Sequence, residues 1–498
     1  MTPIAEPLHS DDMVAVLGRQ LPYKWVVAIV YVAAIFLDIL DTTIVNVALF
    51  SMGKEFHTDA IEWVVLGYTL SLAVWIPTSG WLGDRFGTKK VFLFALTAFA
   101  LGSFACGMSQ SIGQLIAFRV LQGVGGGMLT PVGVSMLFRA FPHSERAKAS
   151  TVIMMPTLLA PALGPVLGGL ITTHFHWRWI FWVNVPISVV ALWFGIRYLR
   201  EHREPSARHF DPAGFVLSGA ALALVVYALS EGPRAGWTSG LVLGTGALGV
   251  LCAVLTVKVE LSIDNPMLDL RLLRDRMFRQ CNTVSFFSGA SFLGVMFIMP
   301  IYLQNLRGMS ALQSGLTTFP QAFGVFCSSL IAGRAYATVG PRRLMSGGFL
   351  AAAAAITLYT ALTLDTDLWL IRGLMFLRGL CMGFAFVPMQ AASYSTIAPA
   401  QNGRASSLFS TQRQVGVSFG VAVLASILST YGALTPTLFT CAHSSDPKCV
   451  ASLDRALSGV HWGFIAAIVF ALLASIFSWF IRDEDAHATM AARARPSK

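Results

Sequence analysis

Fourteen apolar runs, each near the roughly 20 residues a helix needs to cross a bilayer, dominate this chain of 498 residues. They lie at about 25–48, 62–83, 91–109, 114–136, 149–172, 179–199, 212–230, 240–258, 281–304, 315–336, 344–363, 369–396, 405–431 and 460–481. Hydrocarbon offers no hydrogen-bond partner to a backbone, so runs of this kind must be helical. A membrane β-barrel would show short alternating segments instead. Hydrophobic residues make up 55 % of the chain and charged ones 12 %, too little polar surface to face water and too much apolar surface to stay disordered. The sequence therefore predicts an all-α polytopic membrane protein.

An even number of spans puts both termini on one side. Basic residues choose that side, because cytoplasmic loops carry the excess of Lys and Arg. Lys or Arg residues occur in the tails and in the loops 84–90, 137–148, 197–210, 258–280, 334–343 and 397–404. The opposite loops hold only Lys54, Arg178, Arg234, Arg307, Arg372, Lys448 and Arg455. Both termini are expected to be cytoplasmic. The net charge of +10 then reflects membrane topology and not nucleic-acid binding. The N-terminal segment lacks the basic start and small-residue cleavage site of a secretory signal, so the first apolar run reads as a retained helix. Cys441 and Cys449 fall in a polar outer loop, TCAHSSDPKC; a disulfide between them and a pair of free thiols are both open readings. No His/Cys metal spacing occurs.

The chain repeats itself. GWLGDRFGTKK (80–90) is echoed by GRAYATVGPRR (333–343), pairing Gly80 with Gly333, Gly87 with Gly340, and Lys89–Lys90 with Arg342–Arg343. A weaker echo links FRVLQGVGGG (118–127) to LRGLCMGFAF (377–386). The first copy joins spans two and three, the second spans ten and eleven. Two six-helix halves with two extra spans between them account for this register. The expected organisation is a cytoplasmic tail 1–24, an N-terminal six-helix bundle 25–200 and two extra helices 210–260. A basic, amphipathic cytoplasmic linker 261–280, a C-terminal six-helix bundle 281–482 and a tail 483–498 follow.

Four strings carry chemistry. In the loop 80–90, Gly80, Gly83 and Gly87 permit close backbone approach, Asp84 can cap or pair, and Arg85, Lys89 and Lys90 face anionic headgroups. Its G-x-x-x-D-R-x-G-x-K-K pattern resembles the loop motif of the major facilitator superfamily. Arg119 lies inside span four, where a charge needs a partner or a water-filled cavity; Gln122, Gly123 and Gly125–Gly127 follow it, allowing tight helix contact. This string resembles the superfamily's fourth-helix motif, whose arginine is linked to proton coupling. APALGPVLGG (160–169) places Gly164, Pro165, Gly168 and Gly169 along span five, a seam on which helices can rock. It resembles the signature of the superfamily's antiporters. Asp38 and Asp41 are three residues apart on one face of span one, where a carboxylate is expensive as an ion and a proton removes the charge.

The strings LDTTIVNVAL, WRWIFWVNVPI, FDPAGFVLSGAAL, NPMLDLRLLRDRMF and GRASSLFSTQRQVGVSFGVA closely resemble the fourteen-helix drug:proton antiporter family of that superfamily, over about residues 25–480. The resemblance implies a major facilitator fold and a proton-coupled exporter in the inner membrane of a bacterium. Asp41 would be its coupling carboxylate and Arg119 its partner, while Asp38 joins the candidate proton site by its spacing from Asp41 alone. Two features depart from the family pattern: Phe50 replaces a proline, and Ala337 stands opposite Asp84 in the second loop copy. Spans nine to thirteen hold no mid-span acid, so lipophilic monovalent cations or neutral compounds are the expected substrates. Candidate cavity residues are Phe286, Phe287, Tyr302, Gln304, Phe319, Gln321, Gln390, Arg413 and Gln414. No nucleophile–base constellation appears, so no enzyme is expected, nor a cofactor beyond the proton gradient. The implied partners are small lipophilic solutes, protons and the bilayer, with a monomeric protein and a periplasmic adaptor as an option. A dedicated exporter of one metabolite, lipid or siderophore is the alternative reading.

Overall fold

The computed structural model describes residues 13–490 except 17, 58–60, 62, 143–144, 204–210, 264–265, 436–437 and 442–445. The described residues begin with a small hairpin, β1 (Met13–Val16) paired antiparallel to β2 (Arg19–Pro22), turned at Gly18 with φ +82°. Long helices follow. The first half holds α1 (Tyr23–Phe56), α2 (Trp63–Phe86), α3 (Thr88–Met108), α4 (Ile112–Ala140), α5 (Arg146–His174) and α6 (Trp179–Tyr198). The inserted pair is α7 (Pro212–Ala235) and α8 (Gly240–Ser262). The second half holds α9 (Arg276–Leu306), α10 (Ala311–Val339), α11 (Pro341–Ala361), α12 (Leu368–Ser393), α13 (Pro399–Thr430) and α14 (Pro447–Trp479).

Short polar side chains set many of these ends. Ser111 accepts from Gln114 N–H, Asp211 from Gly214 N–H, and Asp275 from Phe278 N–H; Ser310 and Gln313 form a reciprocal capping box. Asp275 starts α9 at Arg276, inside the segment expected to be linker, and the rest of that segment carries a short 3₁₀ turn at Leu270–Arg274.

The two halves repeat one contact pattern. α1 packs on α5, α2 on α4, α3 on α4 and α6; likewise α9 packs on α13, α10 on α12, α11 on α12 and α14. Between halves, α2 and α4 meet α13, while α10 and α12 meet α5. The inserted pair breaks this symmetry: α7 lies against both α2 and α13 as well as α8. α8 turns Leu243, Leu248, Leu251 and Val254 outward, as a lipid-facing helix does. Five of the exposed tryptophans, Trp25, Trp63, Trp179, Trp369 and Trp479, sit at helix ends, the placement of an interfacial belt. A disulfide joins Cys441 to Cys449.

Candidate functional site

α1, α2, α4 and α6 converge on one buried polar cluster. Asp41 is fully buried and accepts three bonds: from Arg119 Nη1 at 2.5 Å, Gln122 Nε2 at 2.9 Å and Asn184 Nδ2 at 2.9 Å. Arg119 also donates from Nη1 to Gln122 Oε1 and from Nε to the Val64 carbonyl, and its guanidinium lies 4.2 Å from the Tyr68 ring centroid. Asn184 also reaches Ser103, whose hydroxyl donates to the Phe181 carbonyl. A buried ion pair survives only when its lone pairs and donors are matched in this way. Arg119 is therefore anchored in the interior, with the partner that a charge inside a span needs.

One turn earlier on α1, Asp38 accepts from the Tyr68 hydroxyl. Tyr68 thus touches both centres, through its hydroxyl and its ring face. Across the interface between halves, Arg413 of α13 is near enough for its charge to act on Asp38, Tyr31 and Tyr394. No acid forms an ion pair with Arg413 among the described residues.

The face that carries the termini is closed by contacts between halves. Gly80 of α2 lies so close to α13 that a Cβ there would stand 2.4 Å from the Gly403 carbonyl oxygen. Ser407 donates to the Ile76 and Pro77 carbonyls, and Ser406 to that of Pro131. The rings of Phe138 (α4) and Tyr394 (after α12) stack at 4.5 Å. Asp84 pairs with Arg139 at 3.1 Å and borders Gly403 in the first turn of α13, where a helix end favours an anion.

The sequence matches the profile of the Major Facilitator Superfamily over residues 31–421, with a second match over 281–497 that begins at the second half. The chain belongs to the major facilitator superfamily. Among its relatives, an uncharacterized MFS-type transporter of Bacillus subtilis, YhcA, is 31 % identical over 91 % of this chain and 92 % of that protein. The multidrug resistance protein B homolog of Mycobacterium tuberculosis is 34 % identical over 79 % of this chain and 74 % of its own length. The solved structure of the human organic anion transporter MFSD10 superposes with a TM-score of 0.62 at 16 % identity, covering 88 % of this chain and all of that one. The protein is a multi-pass membrane transporter and not an enzyme.

Within the facilitator fold the glycine strings serve helix contact. Gly123 and Gly127 face α2, Gly125 faces α3, and Gly126 meets the Tyr68 hydroxyl and Asp38. A Cβ on Gly164 would reach 2.2 Å from Thr43 Oγ1 and one on Gly168 would press on Val47, so α5 rides on α1; Gly169 instead borders Leu312 of α10. The side chain of Pro165 lies outside the described residues. The loop motif is held by a residue that the sequence did not offer. Glu201, after α6, accepts from the Lys89 and Lys90 backbone N–H groups and fills the space that Gly87, at φ +105°, leaves free. Lys89 Nζ donates to the Ile196 carbonyl, while Arg85 is exposed. The second copy uses Asp483 identically, over Gly340 and onto Arg342 N–H.

The suggested cavity residues do not gather in one place. Phe286 packs on Phe287 and Phe419, and Phe287 stacks on Phe477 of α14. Tyr302 donates to the Thr363 carbonyl near the opposite face. Gln321 accepts from Arg378, the second half's counterpart of Arg119. Gln304, Phe319 and Gln414 are half-buried, and Gln390 is buried with its carbonyl oxygen unpartnered. Asn184 and Tyr68, which complete the central cluster, were not singled out by sequence. Their amide and phenol types are common in membrane helices, and only the fold shows that they face Asp41 and Asp38.

Proposed function

We propose that this transporter is a proton-driven exporter of lipophilic cationic or neutral compounds, working by alternating access in the inner membrane with both termini in the cytoplasm. The buried Asp41–Arg119 pair carries the reading. It joins α1 to α4 within the first half, and its stability depends on a charge that one proton cancels. The basic loops assign the terminal face to the cytoplasm, and the packed contacts there close that side. The relatives named for multidrug resistance support efflux as the direction.

In this mechanism a proton from outside adds to the Asp41 carboxylate and the Arg119 contact breaks, while Arg119 keeps the Gln122 oxygen and the Val64 carbonyl that it already holds. Loss of that tie shifts α1 against α4 and the glycine seam of α5, and bound substrate leaves outward. The halves then rock back, and the proton leaves Asp41 to the cytoplasm as the ion pair re-forms. Asp38, tied to Tyr68 and facing the charge of Arg413, is the second acid of the pathway.

Proton flux in liposomes tests the proposal. With a pH dye inside and a gradient imposed, a lipophilic cation should dissipate the gradient with the native chain and not with Asp41→Asn. Cation binding without proton movement in either protein would refute coupling.

A further inference from the structure

The mechanism above does not use a pair of buried acids on the inserted helices. Glu260, at the terminal-face end of α8, is fully buried, and Asp211, the N-cap of α7, is 5 % exposed. The two carboxylates converge: the point where a Cβ on Gly214 would lie is 2.1 Å from Asp211 Oδ2 and 2.8 Å from Glu260 Oε1. Each carboxylate has one oxygen engaged by backbone, Asp211 Oδ1 by Gly214 N–H at 2.8 Å and Glu260 Oε1 by Leu268 N–H at 3.1 Å. Each has its other oxygen, Asp211 Oδ2 and Glu260 Oε2, buried with no partner at bonding geometry, although the Met267 N–H also faces the Glu260 carboxylate.

No cation neutralises them among the described residues. The charged groups that act on Glu260 are Asp211 and Asp269, both acids. Arg404 of α13 faces Asp269 at 3.7 Å, Arg271 spends its guanidinium on the Leu261 and Ile263 carbonyls, and Asp84 of α2 is held by Arg139. Two adjacent buried carboxylates cannot both stay ionised at reasonable cost, and an unpartnered buried oxygen carries its own desolvation penalty. A single proton shared between the two carboxyls answers both, leaving one charge in place of two.

We propose that Asp211 and Glu260 form a second proton-binding site, separate from the α1 carboxylates, that takes one proton from the terminal face. The bond it creates joins the first turn of α7 to the last turn of α8. Because α7 lies against α2 and α13, this proton fastens the inserted pair to the helices that close that face. The site belongs to the inserted helices alone, since neither six-helix half has an equivalent of α7 and α8.

Infrared difference spectroscopy on the full chain in nanodiscs, titrated with pH, tests it. The starting protein is the Asp38→Asn, Asp41→Asn variant, so the α1 carboxylates contribute nothing. A carboxylic-acid C=O band should remain and vanish on alkaline titration. Adding Glu260→Gln and Asp211→Asn together should remove it, and either alone should shift its frequency and the pH at which it vanishes, because the remaining acid has lost the partner that shares its proton. Both amides keep the backbone-accepting oxygen, so the Gly214 and Leu268 contacts survive, and each variant checks the other. A band unmoved by either single change, a band that persists in the double change, or no such band in the starting protein overturns the proposal.

Discussion

At the scale of residues, the central pair makes a sharp prediction about stability. Arg119→Met leaves Asp41 buried with two amide donors and no cation, which should lower unfolding free energy by about 3–5 kcal/mol. Asp41→Asn combined with Arg119→Met should recover part of that loss, since no uncompensated charge remains. Thermal unfolding of the four variants in a double-mutant cycle measures the coupling. A second prediction concerns Glu145, which lies between the α4 and α5 spans and pairs with Lys24 at 2.9 Å and Lys148 at 3.1 Å. Partial burial works against its charge, but the two ammonium groups outweigh it and hold the carboxyl below the usual range. A depressed pKa contributes stability above the unfolded value, about 4.3 for Glu, and loses it as pH falls through the folded value. Glu145→Gln should therefore cost about 1 kcal/mol at neutral pH, and the gap to the native chain should close on acidification. An equal gap at all pH values would show that packing, not charge, is what Glu145 supplies.

At the scale of elements, the loop between α2 and α3 shows how much the sequence could reveal. The glycines of 80–90 announced a tight turn, and the repeat at 333–343 announced a second one. The acids that complete each turn, Glu201 and Asp483, sit at the far ends of α6 and α14, more than a hundred residues from their partners. Each ends a long apolar run, so nothing local marks it as a cap for a distant helix. The helices themselves were legible because hydrocarbon imposes length and apolarity. The partners of Asp41 were legible only in part: Arg119 stands out as a charge in an apolar run, whereas Asn184 does not. Packing against the cavity was the least legible, because an aromatic in a membrane helix reads alike whether it meets substrate, lipid or Phe477. The turn gives a direct test. Gly87→Ala meets both a positive φ of +105° and the Glu201 carboxylate, so it should destabilise by about 1 kcal/mol or more. Gly113→Ala, in the first turn of α4 with open space around it, should be neutral or slightly stabilising. Melting temperatures of the two variants separate strain from a general effect of removing glycine.

At the scale of the whole molecule, the contacts between halves are polarised. Gly80 against Gly403, Ser406 against Pro131 and Phe138 against Tyr394 all lie on the terminal face, and the α5–α10 contact at Gly169 and Leu312 lies toward the other. Rocking one six-helix half on the other must separate the first set while it compresses the second, because packed helix faces move as units. Replacing Phe138 and Tyr394 with cysteine, in a chain whose native free cysteines have been removed, puts a short bifunctional thiol linker across the closed face. Linking should abolish export, and a reductant that cleaves the linker should restore it. Substrate added from the external side should still bind the linked protein, because that half of the cycle does not require the terminal face to open. If export continues at an unchanged rate in fully linked protein, the two halves do not part at Phe138 and Tyr394, and the closed face seen here is not the one that opens during transport.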